Sequence, residues 1–141
     1  MSCGTTKPTH NMPVVEESPI SFTELARNSY PDNEMSKLEV FTLRSKSDED
    51  KLRATELGKH ALEGLNGDYS NEILLVVGDE TRGSAGHSIR ISEVKSVQEE
   101  IVVIVNTQAP SGDAASVMTR PYSVVRIPIT EGTAVVLNAT L

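Results

Sequence analysis

Tryptophan is absent, and all aromatics together make up 4% of the 141 residues. Base-stacking platforms and aromatic sugar cradles are therefore poorly supplied. A single cysteine, Cys3, excludes a disulfide framework and a cysteine-based zinc site within one chain. Positive charge is also scarce. The 13 Lys and Arg stand against 20 Asp and Glu, for a net charge of -7. A nucleic-acid binder needs a basic footprint to displace counterions from phosphate, so nucleic acid is not an expected partner. No apolar run approaches the roughly 18 residues of a membrane-spanning helix. The length suits one domain with one good core.

β-branched residues are plentiful and unevenly placed. Val, Ile and Thr number 10 in residues 1–72 and 25 in residues 73–141. Such side chains fit a pleated, half-buried surface, so the second half should be mostly strand. The first half holds 13 acids and 8 bases, the second 7 and 5, so the first half is the more solvated.

Residues 1–20 read as a flexible tether, because residues 4–20 hold three prolines and show no hydrophobic period. Residues 21–141 read as a single domain. Ser21 with Glu24 has the spacing of a capping box and predicts a short helix from Phe22 to about Asn28. Tyr30-Pro31-Asp32-Asn33 ends it as a turn. Leu38–Arg44 reads as a strand. Ser47 with Asp50 predicts a second helix, with Ala54, Leu57, Ala61 and Leu65 on one stripe. Gly58 should weaken that helix by roughly 1 kcal/mol against Ala.

Ile73–Val77 is a dense apolar run, as in a strand buried on both faces. Residues 78–86 form a loop with three glycines. His87–Val94 alternates, Ile101–Val105 is again dense, and Gln98-Glu99-Glu100 turns the chain between them as a hairpin. Ala109–Asp113 is a loop, Tyr122–Ile129 a strand with Val124 and Val125 facing opposite ways, and Thr133–Leu137 a last strand. The expected fold is α+β: a mostly antiparallel sheet of about six strands, sandwich or barrel-like, with two helices packed on it. The expected core is Phe22, Leu25, Phe41, Leu57, Ala61, Ile73, Leu75, Val77, Ile89, Ile91, Val102, Ile104, Val124 and Ile127.

Asp79, Ser84 and His87 supply the residue types of a nucleophilic triad within nine residues. They lack the Gly-x-Ser-x-Gly elbow, and a turn loop using Gly and Ser for local hydrogen bonds explains them as well. His10, His60 and His87 share no metal-ligand spacing, and His60 with Glu63 reads as a solvated helix face. The glycines of residues 78–86 match neither phosphate-binding pattern. No cofactor, metal or small-molecule substrate is expected. Arg120-Pro121-Tyr122 starts a strand cleanly, because proline pushes the preceding residue extended. Arg and Tyr are also frequent binding anchors.

These pieces come in a recognisable order. Phe22-x-x-Leu25 is followed by Val40-Phe41-Thr42-Leu43-Arg44-Ser45, leading into an acidic helix start. Ile73–Gly78 comes next, then Arg82 with the Gly83/Gly86 loop, and His87-Ser88-Ile89-Arg90-Ile91. Ala109-Pro110-Ser111-Gly112-Asp113 and Arg120–Pro128 close the series. This order resembles the protease complex subunit PrcB family over roughly residues 22–128. The family's loop typically reads Thr-Gly-Gly-Tyr where this chain has Ser84-Ala85-Gly86-His87, and its helix commonly carries a Trp that is missing here.

The resemblance implies a small, non-enzymatic bacterial envelope domain that supports an exported protease complex. Applied by position, it makes Arg82, Gly83, Gly86, His87, Arg120 and Tyr122 the candidate protein-binding residues. It implies that the 79–87 loop and the Arg120–Tyr122 segment converge at one end of the sheet. Ser2-Cys3-Gly4 resembles the end of a lipobox, which makes Cys3 a candidate lipidation site and the only expected membrane attachment. Without lipid on Cys3 the protein would be cytoplasmic. The alternatives are a serine hydrolase using Ser84 and His87, or a purely structural envelope protein.

Overall fold

An apolar side chain at every position from Ile73 to Val77 demands cover on both faces of one strand, and the fold supplies it. The computed structural model describes residues 16–140. Their elements are β1 (Glu17–Pro19), β2 (Thr23–Pro31), β3 (Glu39–Leu43), α1 (Lys46–Arg53), α2 (Glu56–Ala61), β4 (Glu72–Gly78), β5 (Ser88–Val97), β6 (Glu100–Gln108), β7 (Thr119–Pro128) and β8 (Thr133–Asn138). One sheet has the order β1-β5-β6-β8 and the other β2-β7-β4-β3. All pairs are antiparallel except β6 with β8.

The strand period of two divides the apolar residues between two cores. Ile73, Leu75 and Val77 of β4 and Val125 and Ile127 of β7 point toward the other sheet. There they meet Ile89, Ile91, Val94, Ile101, Val103 and Val105. The alternate residues Leu74, Val76, Tyr122 and Val124 pack with Leu52, Leu57, Ala61 and Leu62 of the helical segment. The molecule is thus an α+β sandwich with the helices forming a third layer on one sheet. Val124 and Val125 do face opposite ways.

The hairpin turn lies where expected, with Val97 opposite Glu100 and Gln98 at φ 56°. Eight strands are present among the described residues, against about six expected. The expected tether gives up its last part to the sheet: β1 pairs Glu17 with Val97 and Pro19 with Lys95.

The expected first helix is instead the strand β2, which pairs with β7 from Thr23 opposite Arg126 to Pro31 opposite Thr119. Local capping-box spacing loses here to the requirement that the edge of β7 be paired. The register shifts between Glu24 and Ala26, where Leu25 bulges.

The expected single second helix is two short ones. Ser45, not Ser47, caps α1, accepting a bond from the Asp48 amide at 3.1 Å. Thr55 breaks the run: its hydroxyl donates to Leu52 O at 2.6 Å and accepts from Gly58 N at 3.1 Å. Gly58 sits in the resulting corner, where a methyl group would lie 1.8 Å from Leu52 O. Close approach, rather than helix propensity, therefore fixes glycine at this position.

Ile101, Val103 and Val105 fill the inter-sheet core, which puts Val102 and Ile104 on the opposite face of β6. Val102 is buried there as expected, while Ile104 is only half-buried. Phe22, Leu25 and Phe41 are only partly buried, at the margins of the two cores.

A buried carboxylate ties the helical layer together. Glu49 accepts from Lys46 Nζ at 2.7 Å, from Arg53 Nε at 3.0 Å, from Tyr69 Oη at 2.8 Å and from Gly67 N at 3.3 Å. Arg53 also donates to Leu62 O and Leu65 O, closing the end of α2. Burial alone would raise the Glu49 pKa, but the bonds from Lys46, Tyr69 and Arg53 outweigh it and hold it at about 2.

Glu49 has a lower pKa folded than unfolded, so its stabilisation is complete above about pH 4.5 and is lost as pH falls toward 2. Glu49→Gln should cost about 2–3 kcal/mol at pH 7. Urea melts at a series of pH values should show the gap from wild type closing between pH 4.5 and 2. A gap of constant size across that window would mean the carboxylate's charge does not matter.

Candidate interaction surface

The ends of β2, β4 and β6 and the starts of β3, β5 and β7 lie together at one end of the sandwich. Three loops emerge there, at 32–38, 79–87 and 109–118, and buried polar groups join them.

Arg120 is the central tie and is 5% exposed. Its Nε donates to Asp79 O at 2.7 Å and its Nη2 to Lys37 O at 2.8 Å, with Glu39 Oε1 at 3.4 Å. The guanidinium lies over Gly78, where a methyl group would sit 2.7 Å from its central carbon. A planar fork of donors suits two backbone carbonyls from different loops.

The Asp79 side chain, also buried, is turned to Arg82. Arg82 Nε lies 2.9 Å from Oδ2 and Nη2 3.2 Å from Oδ1, while the Glu80 amide donates to Oδ1 at 2.8 Å. These bonds to Asp79, set against burial, raise the Arg82 pKa further. Arg82 and Thr119 form an isolated antiparallel bridge, with N–O distances of 2.8 and 3.0 Å.

Asp32 joins the first loop to the second. Its carboxylate accepts from Thr81 Oγ1 at 2.6 Å, Ser36 Oγ at 2.9 Å and Glu34 N at 3.1 Å. Burial pushes its pKa up, but the Thr81 and Ser36 hydroxyls and the Glu34 amide prevail and hold it below the usual carboxylate range. Asp32 N donates to Met118 O at 3.0 Å, so the third loop joins too. Thr119 Oγ1 donates to Ser84 O, and Ala85 N to Ala115 O.

The 79–87 loop and Arg120 do meet at one end. Gly83 and Gly86 are exposed, and Arg82 and His87 are half-buried. Gly86 has φ 89°, and a methyl group there would press on Pro110 at 2.8 Å. Arg120 and Tyr122, however, do not present themselves for contact. Tyr122 is 7% exposed and belongs to the core beneath the helices. Its ring lies 6.3 Å from Tyr30, which in turn stacks on His60 at 4.7 Å. Both residues position the loop end from inside, because β7 is covered on both faces. Cys3 lies outside the described residues.

The triad geometry is incomplete. Ser84 Oγ lies 3.1 Å from His87 Nε2, but the Asp79 carboxylate is occupied by Arg82 and the Glu80 amide.

Sequence reasoning missed Met35 and Val117, which are 74% and 45% exposed on the first and third loops. Met35 holds the left-handed backbone at φ 55°, unusual for a residue with a side chain. Ser36 N–Thr81 Oγ1 at 2.7 Å and Thr81 N–Ser36 O at 3.1 Å brace it. Only the Asp32 turn, with its bond to Glu34 N, had a readable signal.

Residues 73–128 match the family model described as PrcB C-terminal. The resemblance read from the sequence therefore holds over β4 to β7, the strands that carry two of the three loops. No curated protein and no solved structure matches the chain.

Arg120→Lys should lose the two-carbonyl clamp and cost about 2–3 kcal/mol. Tyr122→Ala should cost about 3–5 kcal/mol by opening the core. Thermal melts check both, and an unchanged melting point for either variant would put that side chain outside the packed interior.

Proposed function

We propose that this chain is a non-enzymatic accessory domain of an exported protease complex, docking its protein partner through the three-loop end. The carrying observation is the pairing of rigidity with exposed apolar side chains. Met35 and Val117 stand in solvent on loops whose bases are fixed by Asp32, Asp79 and Arg120. Anchors held in place before binding lose little entropy on docking. Methionine adapts its shape to an apolar pocket.

Exposed Glu34 and Lys37 share the Met35 loop, and exposed Glu80 on the second loop pairs with Arg82 at 3.0 Å, so the charges around the anchors are mixed. The partner surface that fits Met35 and Val117 is an apolar hollow. The PrcB C-terminal match supports a protease complex as the setting.

A lipid on Cys3 would place the domain in the bacterial envelope. The lipobox-like Ser2-Cys3-Gly4 supports this. The described chain enters β1 beside Val97, at the hairpin end, so an anchor there leaves the loop end facing away from its attachment.

The test is co-purification from the envelope fraction with wild type and with the Met35→Asp/Val117→Asp double variant. Wild type should retain an active protease, and the variant should lose at least about tenfold of it. Its melting point should stay within about 2 °C, since both sites are exposed. Equal capture by the variant removes the loop end from the proposal.

The Ser84–His87 contact at 3.1 Å favours one other reading, an activated serine. A fluorophosphonate probe decides it. Accessory function requires no label at Ser84, whereas label lost in both Ser84→Ala and His87→Ala would establish a hydrolase.

A further inference from the structure

A pocket of about 200 Å³ opens between the 32–38 loop, β3 and the start of α2. Tyr30 of β2 and Arg120 of β7 close it from beneath, at 3% and 5% exposed. The two stand opposite one another in the antiparallel register, so both side chains lie on the helical face of the sheet.

Each carries a donor that the fold leaves unspent. Arg120 Nε and Nη2 are taken up by Asp79 O, Lys37 O and Glu39 Oε1, whereas Nη1 has no carbonyl or carboxylate partner among the described residues. The Tyr30 hydroxyl has no acceptor among them either, although the guanidinium lies beside it. Among the described residues, Ser123 Oγ is the one buried side-chain polar atom sealed off without a partner. Arg120 Nη1 and Tyr30 Oη are therefore open to the pocket that their residues line. Burial raises the Tyr30 pKa against the pull of Arg120, so the hydroxyl keeps its proton at neutral pH.

The mouth has the opposite chemistry. Glu34, Glu39 and Glu56 supply acceptors there, beside the apolar flanks of Phe41 and Leu57. Lys59 pairs with Glu56 at 3.1 Å, and Lys37 is exposed on the Glu34 loop, so the mouth carries charges of both signs.

We propose that this pocket receives a primary carboxamide, the side chain of an Asn or Gln on the docking partner. Its oxygen accepts from Arg120 Nη1 and Tyr30 Oη, and its NH2 group donates to Glu34 or Glu39. Charged groups of the same shape fit less well. A carboxylate would lie beside Asp32, which its loop holds ionised, and an ammonium would face the Arg120 guanidinium. The amide meets donors and acceptors alike and brings no net charge into a buried site. Met35 sits between Glu34 and Ser36, which both line the pocket, so a partner seated on Met35 has side chains at the mouth. The partner as source rests on docking through the three-loop end, whereas the preference of the pocket for an amide does not.

NMR titration of the full chain with propionamide, propionate and propylammonium tests that preference without a partner. Propionamide should give saturable shifts at Tyr30, Phe41 and Leu57 with a Kd of about 1–100 mM, and both ions should bind at least about tenfold more weakly. Tyr30→Phe removes a hydroxyl on which the packing does not depend. It should keep the melting point within about 2 °C and weaken propionamide about fivefold. No saturable shift, tighter binding of either ion, or undiminished binding by Tyr30→Phe overturns the inference. Co-purification separates the pocket from docking itself. Tyr30→Phe should retain less protease than wild type. Full retention by Tyr30→Phe beside loss by Met35→Asp/Val117→Asp overturns the carboxamide and leaves docking in place. If wild type retains no protease, docking fails and the propionamide series alone decides for or against the pocket.

Discussion

The fold depends on β4 and β7 being buried on both faces at once. A strand with one wet face can stand at the surface of a two-layer sandwich. A strand like Ile73–Val77, apolar at each position, cannot. One layer must cover Ile73, Leu75 and Val77, and another must cover Leu74 and Val76. The second sheet meets the first need, and the helical segment from Lys46 to Leu62 meets the second. The helices are too short to be stable alone, so their existence follows from this burial rather than from their own propensity.

Buried charge fixes both the helical layer and the loop end. Glu49 of α1 gathers Lys46, Arg53, Tyr69 and Gly67 within the helical layer. At the far end Arg120, Asp79 and Asp32 satisfy carbonyls, amides and hydroxyls from three loops. Buried charges of this kind contribute less to net stability than to fixing one arrangement, since losing either partner leaves the other stranded. Among the described residues one buried group escapes this accounting: the Ser123 hydroxyl of β7 has no hydrogen-bond partner.

Legibility of the sequence followed the range of the interactions. The β5–β6 hairpin, the β4 run and the opposite facings of Val124 and Val125 are local patterns, and each was readable. β2 was not, because its capping-box spacing at Ser21 and Glu24 is a local signal overruled by pairing with a strand about 100 residues away. The phase of β6 was hidden by its own richness. With apolar residues at 101 through 105 either alternate set could face inward, and the choice was made by the partner sheet. In the loop end, the convergence of residues 79–87 with Arg120 was legible through the resemblance. The direction of the side chains was not: Arg120 looked like an anchor because Arg often is one, yet burial of both faces of β7 turns it into a strut. Met35 carried no signal, since its exposure depends on Thr81, 46 positions onward, holding its neighbour Ser36.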